Sequence, residues 1–153
     1  MRVLFTTPKK RWLPFAWVIR KWLSFKYNAN VEFSHSAILM EIEGEQIVFH
    51  SNKHGTHPLL LTKFLEDNEV IDAVDISDEY KKYCFRYSMD KCLNRYSYAS
   101  IMAIALGLPF GDGSHRMICS ELTARSLNLK VDRIDLIDPY KLLTILKTGI
   151  RSR

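Results

Sequence analysis

Residues 33–51 read FSHSAILMEIEGEQIVFHS, and this stretch decides the fold. From Phe33 to Ile42 polar and apolar side chains alternate well enough for a strand. Glu43-Gly44-Glu45 supplies a hairpin turn, and Gln46 to Ser51 returns as the second strand. On the first strand His35, Ala37, Leu39 and Glu41 share one face, while Ser36, Ile38 and Met40 share the other. A histidine at the start of such a strand points at the sheet's mouth while the residues behind it build the core. His50 falls near the same end of the hairpin, in the neighbourhood of His35. There a second polar group can accept the Nδ1 proton of the first imidazole and fix its tautomer.

Working outward, Arg2 to Thr7 is a short strand, and Trp12 to Phe25 is a helix. The helix places Trp12, Phe15, Ile19, Trp22 and Leu23 at three- and four-residue spacing. Beyond the hairpin, Asn52 to Pro58 reads as a loop rich in His and Gly, Leu59 to Glu66 as a short apolar helix or turn, and Val70 to Val74 as a further core strand. Ser77 caps a helix beginning near Asp78, with Tyr80, Tyr83, Cys84 and Tyr87 as its buried stripe. Asn94-Arg95 breaks it. A helix from Tyr98 to Leu106 stops at Gly107, with Pro109 just beyond. Phe110 to Ser114 is a Gly-rich loop, and Cys119 to Leu127 the next helix. Asp138 and Pro139 open a last helix, Tyr140 to Lys147. Strands come early and helices late, which argues an α+β fold with an antiparallel sheet in one domain spanning residues 1–153.

The composition bounds the partners. A chain of 153 residues, 47% hydrophobic and 25% charged, is an ordinary globular domain. No apolar run reaches the roughly 18–20 residues of a membrane span. Arg20, Lys21 and Pro14 interrupt the one N-terminal stretch that a secretory signal would need. The reading is cytoplasmic. The three cysteines, Cys84, Cys92 and Cys119, cannot all pair and form no C-x-x-C, which argues against a disulfide framework or a Cys-rich zinc site. A net charge of +5 favours acidic surfaces such as anionic lipid, nucleic acid or an acidic polymer without choosing among them, and no specific nucleic acid is expected as a partner.

Cys119 carries the chemistry. Asp112 to Arg116 suits a loop and Glu121 to Arg125 a helix, so this cysteine falls in a helix's first turn. The helix dipole lowers a thiol's pKa there, and unpaired N–H groups offer an oxyanion site. Cys84 and Cys92 sit mid-helix and read as small buried hydrophobes. His50, His54 and His57 spell H-x3-H-x2-H, a spacing a metal could use. Gly55 and Pro58 break any regular helix there, so the reading is exposed loop histidines. The segment Lys9 to Lys26 combines Trp12, Phe15, Trp17, Trp22 and Phe25 with six cations. It reads as a helix packing its aromatics on the sheet, with an interfacial helix as the other possibility. Phe110-Gly111-Asp112-Gly113 lacks the G-K-S/T of a phosphate loop.

The Ser34-His35 pair in a strand, the polar His50 after an apolar trio, Tyr96-Ser97-Tyr98, and Ile118-Cys119-Ser120-Glu121-Leu122 occur here in one order. That order resembles the circularly permuted NlpC-type papain-like hydrolases, which include lecithin:retinol acyltransferase-like proteins and YiiX/YebB-like enzymes of bacteria and phages. The resemblance implies a permuted papain-like fold with about five to six strands packed against helices. It implies Cys119 as nucleophile, His35 as general base, and His50 as the third, orienting residue. Tyr96 would line the site, and Ser120 beside the nucleophile is a further oxyanion- or substrate-lining candidate. Ser97 replaces the acidic residue that often follows this tyrosine.

The implied chemistry is hydrolysis or transfer at an amide, ester or thioester of a peptide, lipid or acyl-conjugate substrate, with no metal and no organic cofactor. The alternative is a catalytically silent binding module that holds an anionic membrane or cell-wall polymer. A metal site from His50, His54 and His57 is a third reading.

Overall fold

β1 (Arg2–Pro8) is buried from Val3 to Thr7, because it lies inside a sheet covered on both faces. The computed structural model describes residues 1–10, 14–92, 94–97, 100, 101, 103, 104 and 116–149. Five strands pair antiparallel: β1, β2 (His35–Ile42), β3 (Glu45–Asn52), β4 (Gly55–Leu60) and β5 (Asn68–Asp75), in the order β4-β3-β2-β1-β5. A separate parallel pair joins β6 (Arg95–Tyr96) to β7 (Arg116–Met117). The fold is α+β with a five-stranded antiparallel sheet and several helices.

The β2–β3 hairpin has its reason in two residues. Ile42 pairs with Glu45, leaving Glu43 and Gly44 to turn with φ of 52° and 83°. Positive φ at both central positions is the twist-matched hairpin turn, and glycine adopts it freely.

Period-two alternation then sorts the sheet's side chains. Val3, Phe5, Ile38, Met40 and Phe49 face the main core, with Leu23 of α1 (Pro14–Tyr27), Cys84 of α3 (Lys81–Asp90), Ala124 of α4 (Cys119–Ser126) and Leu142 of α5 (Pro139–Thr148). On the opposite face Leu4, Ala37 and Val48 pack against Phe64 of α2 (Leu61–Asp67). The start of α5 follows its sequence signal: Asp138 accepts a hydrogen bond from the Lys141 amide at 2.8 Å, with Pro139 in the first turn. The second oxygen of Asp138 receives Lys26 Nζ at 2.8 Å and the Tyr27 hydroxyl at 2.6 Å, tying α1 to α5.

Three expectations are corrected. Residues 52–58 are not a loop: only Lys53 and His54 turn, and Gly55 to Leu60 pair with β3 as an edge strand. Pro58 is tolerated because an edge position does not need its missing N–H. The tyrosine stripe is not the buried face of α3. Cys84 and Ser88 are buried, while Tyr83 is half exposed and stacks on Tyr87. In α1 the aromatics do not all pack inward: Trp22 lies against the core, but Trp17 is 52% and Phe25 88% exposed. Trp12, the Phe15 side chain, most of the 98–106 helix and the 110–114 loop lie outside the described residues. Among the described residues no helix is long and apolar enough to cross a membrane.

Candidate active site

The site forms where two strands part. The ladder between β2 and β3 ends at Ile38 opposite Phe49, whereas β3 stays paired with β4 as far as Asn52 opposite Gly55. His50 to Asn52 therefore run beyond the last pairing with β2. In that opening His35 Nε2 meets His50 Nδ1 at 3.3 Å, with the two rings nearly perpendicular. His50 Nε2 in turn meets His57 Nε2 at 3.1 Å, and His57 Nδ1 reaches the Gly55 carbonyl at 3.1 Å. Phe64, 1% exposed, packs edge-on under His50 at 5.1 Å between ring centroids.

With all three rings neutral, the far end of this chain sets the tautomers. A carbonyl oxygen only accepts, so His57 Nδ1 carries a hydrogen and donates to Gly55. Neutral His57 then presents a lone pair at Nε2, to which His50 Nε2–H donates. Neutral His50 in turn accepts at Nδ1 from His35 Nε2–H. The lone pair of neutral His35 is thereby left at Nδ1. This differs from the sequence expectation, in which Nδ1 of the first imidazole donates to its partner. The contact runs through Nε2, and Nδ1 is free to serve the sulfur.

Burial lowers the His50 pKa to about 2, with His35 and His57 adding to the effect. His50 thus stays neutral and keeps its acceptor turned to His35 whether or not His35 is charged.

Cys119 is the first residue of α4. Ile118 before it is extended and supplies no capping side chain, so the helix's first N–H groups are open to another acceptor. Buried hydroxyls fix this helix in place. Ser36 of β2 meets Thr123 at 3.3 Å, Ser51 of β3 donates to the Met117 carbonyl at 3.0 Å, and Ser120 donates to the Ile137 carbonyl at 2.5 Å. Ser36, Ser51 and Thr123 escape the sequence reading, which takes Ser120 as an oxyanion- or substrate-lining residue and not as an anchor of the helix. A buried hydroxyl's partner lies far off in sequence, and serine in a strand leaves no local signature.

Around the sulfur, burial pushes the Cys119 pKa up, but the charge and hydrogen bond of His35 and hydrogen bonds from the backbone and hydroxyl of Ser36 outweigh it. The net shift is downward. The other thiols move the opposite way. Burial pushes Cys84 up to about 12, with hydrogen bonds from Ser126 and Ser88 opposing it, and burial raises Cys92 as well.

Two cavities meet at the site. A pocket of about 130 Å³, almost wholly apolar, holds Cys119 among Val18, Ile19, Trp22, Ile101 and Ile118. A more open cleft of about 490 Å³ holds His35 and His50. Ile19, Ser34 and Tyr96 line both. Tyr96 therefore stands where the sulfur side and the imidazole side join. Ser120 lines the Cys119 pocket, but its hydroxyl is committed to Ile137; only its backbone N–H, in the helix's first turn, faces the role of oxyanion donor.

Of the sequence-predicted residues, the structure thus brings Cys119, His35, His50, Tyr96 and Ser120 together. His57 is the addition. It is half-buried on β4 rather than an exposed loop residue, while His54 is exposed in the turn. Of the H-x3-H-x2-H set, His50 and His57 meet while His54 stays apart in the turn. Among the described residues no group of three or more His, Cys, Asp or Glu side chains is arranged to hold a metal ion. No family model matches the chain, and no curated protein matches its sequence.

Replacing His57 by phenylalanine keeps a ring but removes the acceptor for His50 Nε2–H. Glutamine keeps an acceptor near the same place. At about pH 6, His57→Phe is expected to slow alkylation of Cys119 about tenfold, and His57→Gln to restore most of the rate. Equal rates in the two variants, read by mass spectrometry, would leave His57 with a packing role only.

Proposed function

We propose that the chain is a cysteine hydrolase or acyltransferase on a permuted papain-like fold, with His35 preceding Cys119 in sequence, as in the YiiX/YebB-like and lecithin:retinol acyltransferase-like proteins it resembles. The observation that carries this reading is the meeting of Cys119, at the start of a helix, with a histidine that is itself oriented by a second polar ring. Nucleophile, base and orienting group in that relation are what thiol catalysis requires.

In this mechanism His35 Nδ1 takes the Cys119 proton, and the thiolate attacks the carbonyl carbon of an amide, ester or thioester. The N–H groups opening α4 stabilise the oxyanion. As the tetrahedral adduct collapses, the imidazolium protonates the departing amine, alcohol or thiol, and an acyl-thioester remains on Cys119. Water or another acceptor then attacks the thioester, giving its proton to His35. The acid or transferred acyl product leaves, and the thiol is regenerated. The apolar pocket beside the sulfur suits a substrate with an apolar group next to its carbonyl.

The test uses the protein's own cysteines as controls. Limiting iodoacetamide at about pH 6 is expected to modify Cys119 and spare Cys84 and Cys92, since only a thiol held low carries appreciable thiolate there. Peptide mapping that finds Cys92 modified first, or all three sites equally, would sink the hydrolase reading.

A further inference from the structure

α1 carries a second apolar face that the core does not use. Trp17, Lys21 and Phe25 follow at four-residue spacing along its outer side, with Val18 beside them. Trp17 and Val18 are each 52% exposed and Phe25 88% exposed. The buried residues Ala16 and Leu23 lie on the opposite side. The helix is thus apolar both inward and outward, which a helix facing only water does not need.

Its charge is one-sided too. From Lys9 through Val31 the sequence holds six cations and no acid. Lys9, Lys10 and Lys21 are exposed. Lys26 is already paired with Asp138, and Arg20 bonds the Thr7 hydroxyl. Glu32 is the acidic residue in the cleft beside Trp17 and Lys21.

We propose that this face docks the protein on an anionic lipid bilayer, with α1 lying in the interface. Tryptophan and phenylalanine beside lysines are the side chains that partition into the headgroup boundary while cations meet anionic lipid. A hydrated polyanion would satisfy the lysines but give Trp17, Val18 and Phe25 nothing to bury against. At 14 residues the helix is about 21 Å long, short of the roughly 30 Å hydrocarbon core, so it lies on the membrane rather than through it.

The same helix supplies Val18, Ile19 and Trp22 to the wall of the Cys119 pocket. Docked this way, the pocket that holds the sulfur sits next to the bilayer surface. This consequence rests on the hydrolase reading; the docking itself does not.

The experiment is vesicle flotation of the full chain. Vesicles of phosphatidylcholine mixed with phosphatidylglycerol are expected to carry the protein, vesicles of phosphatidylcholine alone to carry about tenfold less, and added salt to release it. Trp17→Ser combined with Phe25→Ser, both exposed, is expected to lower partitioning by about tenfold, and Lys21→Glu by about fivefold or more. Circular dichroism checks that each variant stays folded. Cys119→Ala is expected to float like the parent, so a failed hydrolase reading leaves this result intact.

Three outcomes overturn the proposal. One is no flotation with anionic vesicles. Another is flotation unchanged in the double variant. The third is a dimer in sedimentation that the double variant abolishes, which would assign the face to a second copy of the chain.

Discussion

His35→Ala is expected to slow alkylation of Cys119 at about pH 6 by around two orders of magnitude while leaving the fold intact. An ordinary cysteine, with a pKa near 8.5, is thiolate only to roughly 0.3% at that pH, whereas a histidine-paired thiol is largely ionised. In this protein the balance is more exposed to the loss. Burial alone pushes Cys119 up, and His35 supplies the largest opposing contribution. Without the imidazole, only the backbone and hydroxyl of Ser36 remain to hold the sulfur's charge. The variant's rate is expected to rise more steeply than the parent's as the pH is taken upward. A variant that alkylates at about the parental rate across that range would show that the helix start, not the histidine, governs the thiol. His35 is the first residue of β2 and half-buried, so alanine there leaves the core under Ile38 and Met40 untouched.

The second large effect is on stability. His50 is 4% exposed, packed under Phe64 and between two other imidazoles, and its folded-state pKa is lowered to about 2. In the unfolded chain the same group titrates near 6.5. Its folded pKa is depressed, so the unfolded state binds the extra proton. The stability it supports is present above about pH 6.5 and drains away as the pH falls below that value. Between about pH 7 and pH 5 the loss from this one group is roughly 2 kcal/mol. The measurement is the urea midpoint at the two pH values for the parent and for His50→Gln. The parent's midpoint should fall by that equivalent more than the variant's. Parallel declines in both proteins would mean that His50 is not the neutral buried ring described above.

Much of this arrangement is legible in residues 33–51 because its signals are local. The alternation around Ile38, the Glu43-Gly44 turn and the polar residues at both open ends place His35 and His50 together without any long-range information. The start of α5 at Pro139 follows from the capping Asp138 and the proline itself, whereas α4 starts without a capping side chain and is read only from the helix-compatible residues after Cys119. Other features depend on partners that sequence does not announce. β4 is invisible because Gly55 and Pro58 spell a loop, and only pairing with β3 makes them a strand. With β4 missing, His57 reads as a solvent residue rather than the third ring. Trp17 and Phe25 read as core when the segment's aromatics are taken together, although both lie off the periodic stripe of Ile19, Trp22 and Leu23 that does meet the core. The hydroxyls that seat α4 lie on β2, β3 and α4 itself, and only the finished packing brings them together.

Gly55 has a consequence for how this site changes under mutation. Its φ is +96°, and a methyl group on its α-carbon would lie 2.5 Å from the Asn94 carbonyl oxygen, which already accepts the Thr56 amide. The oxygen that orders the imidazoles is Gly55's own main-chain atom, which no substitution deletes. The polarity of the site is therefore inherited from the path of a turn. A side chain at residue 55 would force that turn to move, as would insertions or deletions that reroute residues 52–55.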